Sequence, residues 1–390
     1  MAKDALYFDW KVGELPFYYK PLSRPTNGKN IPDFLPFRLY IDRNTGTLMQ
    51  REPPGFSDLL KKIYSEGSII SGMMDNEGIG KEYAEDFIEY LKSIFTETEL
   101  KEKRVLEIGC GVGYLLHLLQ MMGAEVLGVE PGKHGQVGSK KFNVPIIRDY
   151  FPSDSINEQF DIIILYCVLE HLKNPMSFLV EIKDYLSANG LVIIAVEDEE
   201  PYMVHGDVSF LFHEHFSYYT KDTLQRSLLT AKYGNVEVKC SSFSKVLYAS
   251  ARPDSSIGEV GTGDVLFSIR MAKNFMRRAS IVNKRILDYV SEARMNNETV
   301  AIYVPGRAIN ALKLINAPID TIRFFDDNPN LHGTYFAGFP IPVESRQQLL
   351  DRPTDRMIIM SNSFGEKIAN DLSGVFPDRQ SIMTWFDIFE

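Results

Sequence analysis

V-L-E-I-G-C-G-V-G-Y-L-L, Val105 to Leu116, runs an apolar stretch into three glycines at alternate positions and then into a leucine-rich helical pattern. A strand that ends in glycines and opens a helix is the start of a β-α unit, and it sets the search for further units on either side. Three more continuous apolar runs follow: A-E-V-L-G-V, F-D-I-I-I-L-Y and G-L-V-I-I-A-V. Before them, the pattern K-E-Y-A-E-D-F-I-E-Y-L-K-S-I-F puts Phe87, Tyr90, Leu91 and Ile94 on one helix face. Unbroken apolar strands alternating with helices predict a parallel sheet covered on both faces.

Outward from this block the chain changes character twice. Residues 1–75 are rich in proline and aromatics (L-P-F-Y-Y-K-P-L, F-L-P-F-R-L-Y-I-D), which predicts a small β-rich lobe of short strands and turns. Residues 76–245 form the central α/β domain. The stretch S-A-R-P-D-S-S-I-G-E-V-G-T-G reads as a linker, and a long helix from about Asp264 to Arg294 follows it. A second α/β pattern, T-V-A-I-Y-V-P-G-R-A-I-N-A-L, T-I-R-F-F-D-D-N-P and R-M-I-I-M-S-N, then makes residues 246–390 a second Rossmann-like domain. The expected fold class is α/β, with a β-rich N-terminal lobe and two Rossmann-like domains.

Composition narrows the function classes. A net charge of −10 gives no reason to expect nucleic acid or an anionic membrane as partner, so a small-molecule substrate is expected. The three cysteines, Cys110, Cys167 and Cys240, are odd in number and widely spaced, which argues against a disulfide framework and fits a cytoplasmic setting. No run of about 18 apolar residues is present, and the N-terminal residues are too charged and aromatic for a signal peptide.

Gly109, Gly111 and Gly113 put bare backbone N–H groups at a helix N-terminus, where a ligand can approach closely. Glu107 stands two residues before the first glycine, and Glu130 ends the second strand, where a carboxylate can accept ribose hydroxyls. A carboxylate at Glu107 would repel a pyrophosphate and attract a cation. That favours S-adenosylmethionine, with its sulfonium and amino group, and argues against a dehydrogenase.

At these residues E-I-G-C-G-V-G resembles the first motif of class I S-adenosylmethionine-dependent methyltransferases. Asp149 of I-I-R-D-Y, F-D-I-I-I-L-Y-C-V-L-E-H-L-K-N-P and L-S-A-N-G-L-V-I-I-A-V fall in that family's order. The resemblance implies that Glu107 and the glycines hold the methionine and ribose portions, Glu130 the ribose hydroxyls and Asp149 the adenine amino group, with Glu170 and His171 either at the ligand or bracing the next helix. The segment L-F-H-E-H-F-S-Y-Y-T-K-D-T-L, Leu211 to Leu224, is similar to the signature of nucleotide-sugar C-methyltransferases, which carry an N-terminal zinc-binding lobe and a C-terminal Rossmann-like domain. V-A-I-Y-V-P-G-R-A-I-N and F-F-D-D-N-P-N-L-H-G-T-Y-F-A-G-F-P-I-P-V resemble that last domain.

Methylating a carbon beside a keto group requires removal of a C–H proton, so a base must reach that carbon. The resemblance implies His215 as base, Glu214 beside it, and Tyr218 or Tyr64 near a nucleotide-linked keto-deoxysugar. His213 and His215 with Glu214 between them could instead ligate a metal, but no cysteines gather there, and no metal is expected. O- or N-methylation of a sugar or small metabolite is the alternative chemistry, and a non-catalytic cofactor-binding scaffold the alternative class.

The chain departs from the family in its N-terminal lobe. Around Asp42-Arg43-Asn44-Thr45-Gly46, where a cysteine pair belongs, there are no thiolates, so the zinc site is lost and aromatic packing is expected to hold the lobe. V-P-G-R has one glycine where a dinucleotide turn has three, which leaves Arg307 as a phosphate contact supporting the substrate's nucleotide end. Arg277, Arg278, Lys284 and Arg285 read as a solvated helix face.

Overall fold

The strand that ends in the glycines is apolar on both sides because both sides are covered. In the computed structural model, which describes residues 8–19, 21–25, 31–66, 74–241, 243, 245–261, 265–361, 364–376, 378 and 381–389, the chain forms three sheets.

The N-terminal sheet is antiparallel and consists of β1 (Asp9–Pro16), β2 (Phe34–Ile41), β3 (Leu48–Gln50) and a strand from far along the chain, Ser217–Tyr218, which is β9 in chain order. Leu48 pairs with Tyr218 and Met49 with Ser217. The lobe is therefore completed by two residues of the segment that carries His215.

The central sheet contains β4 (Arg104–Ile108), β5 (Glu125–Val129), β6 (Ile146–Ile147), β7 (Phe160–Tyr166), β8 (Leu186–Glu197), β10 (Tyr233–Cys240) and β11 (Val246–Pro253), in the order β10-β11-β8-β7-β4-β5-β6. The strands β4 to β8 run parallel, and β11 is antiparallel to both β8 and β10. Ile162 and Ile164 face one core with Phe87, Leu91 and Leu116, while Ile163 and Leu165 face the other with Leu106, Leu179 and Leu228. Alternate residues of one apolar run thus feed two cores, as expected for a doubly covered sheet. The chain leaves β4 in both lateral directions, so the crevice at the carboxyl ends of β4 and β7 is the place for a ligand.

The sheet extends to Pro253, beyond residue 245 where the sequence reading divides the chain, because β11 pairs with β8 over Val246–Ala251. The connection to the last domain is correspondingly shorter than the stretch read as a linker and begins at Asp254.

The C-terminal sheet is parallel throughout: β12 (Val300–Tyr303), β13 (Ile322–Phe325), β14 (Val343–Glu344), β15 (Arg356–Ile359) and β16 (Ile382–Thr384), ordered β14-β13-β12-β15-β16. The helix Val265–Met295 buries Ile269, Ala272, Phe275, Ala279, Val282, Ile286 and Val290 at three- and four-residue spacing. Its apolar stripe enters one continuous core with Leu15 and Phe37 of the lobe, Phe210 and Tyr218 of the His215 segment, and Ile309, Leu312 and Phe324 of the C-terminal domain. On its polar side, Arg278 and Arg285 donate to the carbonyls of Phe389 and Ile388. Those two side chains cap the final helix, Trp385–Phe389, and so half of the face read as solvated binds carbonyls at a helix C-terminus.

At Asp42–Thr47, the turn without cysteines, hydrogen bonds hold the chain. Asp42 accepts from the amides of Asn44 (3.1 Å) and Thr45 (2.8 Å) and from Thr45 Oγ1 (2.9 Å), the Thr45 and Thr47 hydroxyls are hydrogen-bonded at 2.8 Å, and Gly46 turns the chain at φ +73°. Aromatic packing alone does not hold the lobe. Among the described residues no helix is long and apolar enough to cross a membrane.

Candidate functional site

Two groups of side chains meet at the carboxyl ends of the central strands. The first is the glycine turn. Gly109, Gly111 and Gly113 all take positive φ (72°, 52° and 72°), and a Cβ at Gly109 would stand 2.6 Å from Val168. A side chain there is excluded twice, by conformation and by space. The Glu130 carboxylate receives N–H bonds from Gly111 (3.0 Å) and Gly132 (2.7 Å), which fix it beside the turn. Glu107 is 3% exposed, its Oε2 has no partner among the described residues, and burial, reinforced by the Glu130 charge, pushes its pKa up to about 8. A buried carboxyl with no donor aimed at it is costly unless a ligand supplies one.

The second group surrounds His215. Its segment follows the helix Glu200–His205 and is clamped from three domains. From the lobe, Gln50 Nε2 donates to the carbonyls of His213 and His215, both at 2.9 Å. From the central domain, His171 Nδ1 meets the Glu214 carbonyl at 3.0 Å, and the Glu170 carbonyl accepts from the Phe216 amide at 2.7 Å. From the C-terminal domain, Asn310 donates to the carbonyls of Val208 (2.8 Å) and Leu211 (3.0 Å). A loop would otherwise be mobile; this one is held by backbone carbonyls along its length.

The clamp orients the two histidines of H-E-H oppositely. His213 points into the lobe, between Phe17, Phe37 and Phe56, with Nδ1 3.1 Å from Gln50 Oε1, and burial pushes its pKa down to about 4. His215 points into the crevice, 2% exposed, with neither ring nitrogen partnered among the described residues. Its ring lies edge-on to that of His171, 4.8 Å between centroids. Burial, and then the neighbouring His171, hold its pKa well below the ordinary imidazole range. His215 is therefore neutral near pH 7 and has a lone pair to offer. The His171 ring, half-buried, is also neutral, with its pKa pushed down to about 4 by burial. Because a carbonyl only accepts, Nδ1 of His171 carries the hydrogen.

Residues 79–238 match the family model of a methyltransferase domain, and residues 264–383 that of a C-methyltransferase C-terminal domain. Residues 79–238 are thus a methyltransferase domain. Over 112 residues, 25% of this chain and 33% of the relative, it is 34% identical to the tRNA U34 carboxymethyltransferase of Hydrogenovibrio crunogenus. Over 120 residues, 29% of this chain and 49% of the relative, it is 26% identical to the ubiquinone biosynthesis O-methyltransferase of a Ruegeria species. The chain thus spans a third to a half of the length of these curated relatives. Among solved structures, the magnesium protoporphyrin IX methyltransferase of Synechocystis with bound S-adenosylmethionine is 13% identical, covering 52% of this chain and 92% of that one, with a TM-score of 0.35.

Within the methyltransferase domain the residues singled out in the sequence divide. Glu107, Gly109, Gly111, Gly113 and Glu130 come together. Asp149, after β6, is exposed and accepts from Ser153 Oγ (2.7 Å) and the Tyr150 amide (2.8 Å). Glu170 and His171 lie against the His215 segment, and burial pushes the Glu170 pKa up to about 8. The Tyr218 hydroxyl is committed to the Phe212 carbonyl at 3.0 Å. Tyr64 lies on the helix Phe56–Glu66, with its side chain outside the described residues.

Sequence reasoning missed Glu197, the last residue of β8, and Glu199 just beyond it, which stand beside His215. The signal was the run E-D-E-E directly after V-I-I-A-V, where four acids at a strand's carboxyl end ask for a cationic or proton-donating ligand. Burial raises the pKa of both, most strongly for Glu199, while Arg307 opposes the rise at Glu197. Arg307 donates to the Tyr202 hydroxyl at 2.8 Å and lies over the Tyr202 ring, with Lys245 over the same ring.

Proposed function

We propose that the protein C-methylates a nucleotide-linked keto-deoxysugar, with His215 as the base that removes the proton from the carbon beside the carbonyl. The observation that carries this reading is a neutral imidazole, buried and unpartnered at both nitrogens, held by three domains at the carboxyl ends of β7 and β8. A structural histidine is hydrogen-bonded, as His213 is; one kept bare in a polar crevice is available to substrate. The match of residues 264–383 to a C-methyltransferase C-terminal domain supports methylation at carbon.

S-adenosylmethionine supplies the methyl group as an activated sulfonium. Glu107 and the glycine turn are the residues fitted to its cationic methionine end, Glu130 to ribose hydroxyls, and Asp149, after exchange of its local hydrogen bonds, to the adenine amino group. Glu214 and His171 position His215, the latter through its bond to the Glu214 carbonyl. Glu170, with its pKa pushed up to about 8 by burial, is protonated near pH 7 and can donate to the oxygen that gains charge as the proton leaves, and burial raises the pKa of Glu199 beside it as well. Arg307 and Lys245, at the junction with the C-terminal domain, supply positive charge for a diphosphate.

Solvent-deuterium wash-in at the carbon next to the keto group, measured by NMR on a keto-deoxysugar nucleotide without cofactor, tests the base. Exchange by the native protein and its loss in His215→Asn supports the proposal. Methyl transfer that persists in His215→Asn and yields an O-methyl product overturns it.

A further inference from the structure

We propose that Glu197, Glu199 and His215 form a binding site for a divalent transition-metal ion, which silences the enzyme by occupying the imidazole lone pair. The inference rests on the reading of His215 as base and adds a second ligand for the same nitrogen. One donor atom from each of the three residues lies within 4.8 Å of the other two, and Glu170 with His171 makes a second such set around the same imidazole. The donors converge from separate elements: the carboxyl end of β8, the turn after β7 and the clamped H-E-H segment.

The second observation is what these atoms lack. Both His215 nitrogens, Glu199 Oε2 and Glu170 Oε2 are without partners among the described residues, and the three side chains are 2%, 2% and 3% exposed. Buried oxygens and nitrogens of this kind are normally satisfied by protein or water. Carboxylate oxygens and imidazole nitrogens bind a metal at about 2.0–2.2 Å, so donors must approach to about 3–3.5 Å of one another. Side-chain rotation covers that difference from 4.8 Å. Two carboxylates neutralise a dication, and the imidazole favours zinc-like ions over magnesium or calcium. Of the three thiols, Cys240 is exposed and near Asp198, Cys110 packs against Gly128, and Cys167 stands beside Glu170 with its pKa raised well above the ordinary value by burial and the surrounding carboxyls, so it stays protonated and leaves the ligation to oxygen and nitrogen. Arg307 offsets charge at Glu197 but is committed to Tyr202, which leaves the crevice acidic.

The test is calorimetric titration of the full chain with Zn2+, first metal-free, then in Glu197→Gln, Glu199→Gln and His215→Asn, each checked for an unchanged melting curve without metal. The expected result is one zinc per chain, weakened roughly tenfold or more in each variant. Deuterium wash-in should fall in proportion to zinc occupancy and return on chelation. Cobalt substitution of the native chain gives a reading that needs no variant: visible bands of nitrogen and oxygen ligation support the site, whereas intense thiolate charge-transfer bands overturn it. Absence of zinc binding, or equal binding by all three variants, also overturns it. A chain that binds zinc through these residues yet exchanges no proton from any keto sugar keeps the metal site and refutes the base. A His215→Asn chain that loses exchange while binding zinc normally does the reverse.

Discussion

The turn at Asp42–Thr47 and the crevice around His215 are both places where a relative of this chain would be expected to concentrate polar chemistry, and they are built in opposite ways. In the turn the described polar groups are paired: one carboxylate, two hydroxyls and two amides close a hydrogen-bonded knot. In the crevice Glu107, Glu170, Glu199 and His215 are buried and each has an atom with no partner. Satisfied polar groups stabilise a fold, whereas unsatisfied ones cost stability and persist where a ligand completes them. The contrast separates a scaffold from a site without reference to any relative.

The largest effect should come from the crevice. His215→Asn is expected to lower deuterium wash-in by about a hundredfold to ten-thousandfold, the range of general-base catalysis, with the midpoint of chemical denaturation unchanged, because neither nitrogen supports the fold. Glu107 sharpens the comparison through pH. Its folded pKa of about 8 lies above the ordinary 4.5, so its contribution to stability is fully present below about pH 4.5 and is lost as pH rises through 8. A cationic ligand favours the ionised form. The affinity for S-adenosylmethionine should therefore rise about tenfold per unit between pH 6 and 8 and level off above, and Glu107→Gln should flatten the profile; titration calorimetry in buffers of different ionisation enthalpy would count the released proton.

A smaller change is expected in the knot. Asp42→Ala removes the acceptor of three hydrogen bonds and should cost about 1–3 kcal/mol in urea denaturation while leaving cofactor affinity as it was. Smallest of all, Tyr218→Phe loses one bond to the Phe212 carbonyl, and about 0.5–1.5 kcal/mol of stability with it. A wash-in rate that fell as far in Tyr218→Phe as in His215→Asn would erase the distinction between the two regions.

The sequence showed most where one run of residues carries the whole signal. The strand and glycines from Val105 to Gly113 announced the parallel sheet and the acidic cradle, since alternation and spacing are local properties. The long helix, read as Asp264 to Arg294, occupies Val265–Met295. What stayed hidden was pairing at a distance. Nothing in S-Y-Y marks Ser217–Tyr218 as an edge of the N-terminal lobe, and nothing in V-L-Y-A-S marks β11 as part of the central sheet, because each depends on a partner strand far away in sequence. The opposed directions of His213 and His215 were equally illegible, being set by Gln50 from a different domain.

The two-residue strand at Ser217–Tyr218 has a consequence for how this protein can be dissected. A fragment lacking the first fifty residues would leave that strand without its neighbour and the His215 loop without the Gln50 tether, while the nucleoside cradle at Gly109–Gly113 would keep its own contacts. On the proposed function, such a fragment would be a receptor without a reaction. The N-terminal lobe is thus welded to the His215 segment, and any chimera that exchanges the lobe would have to move both sides of that seam together.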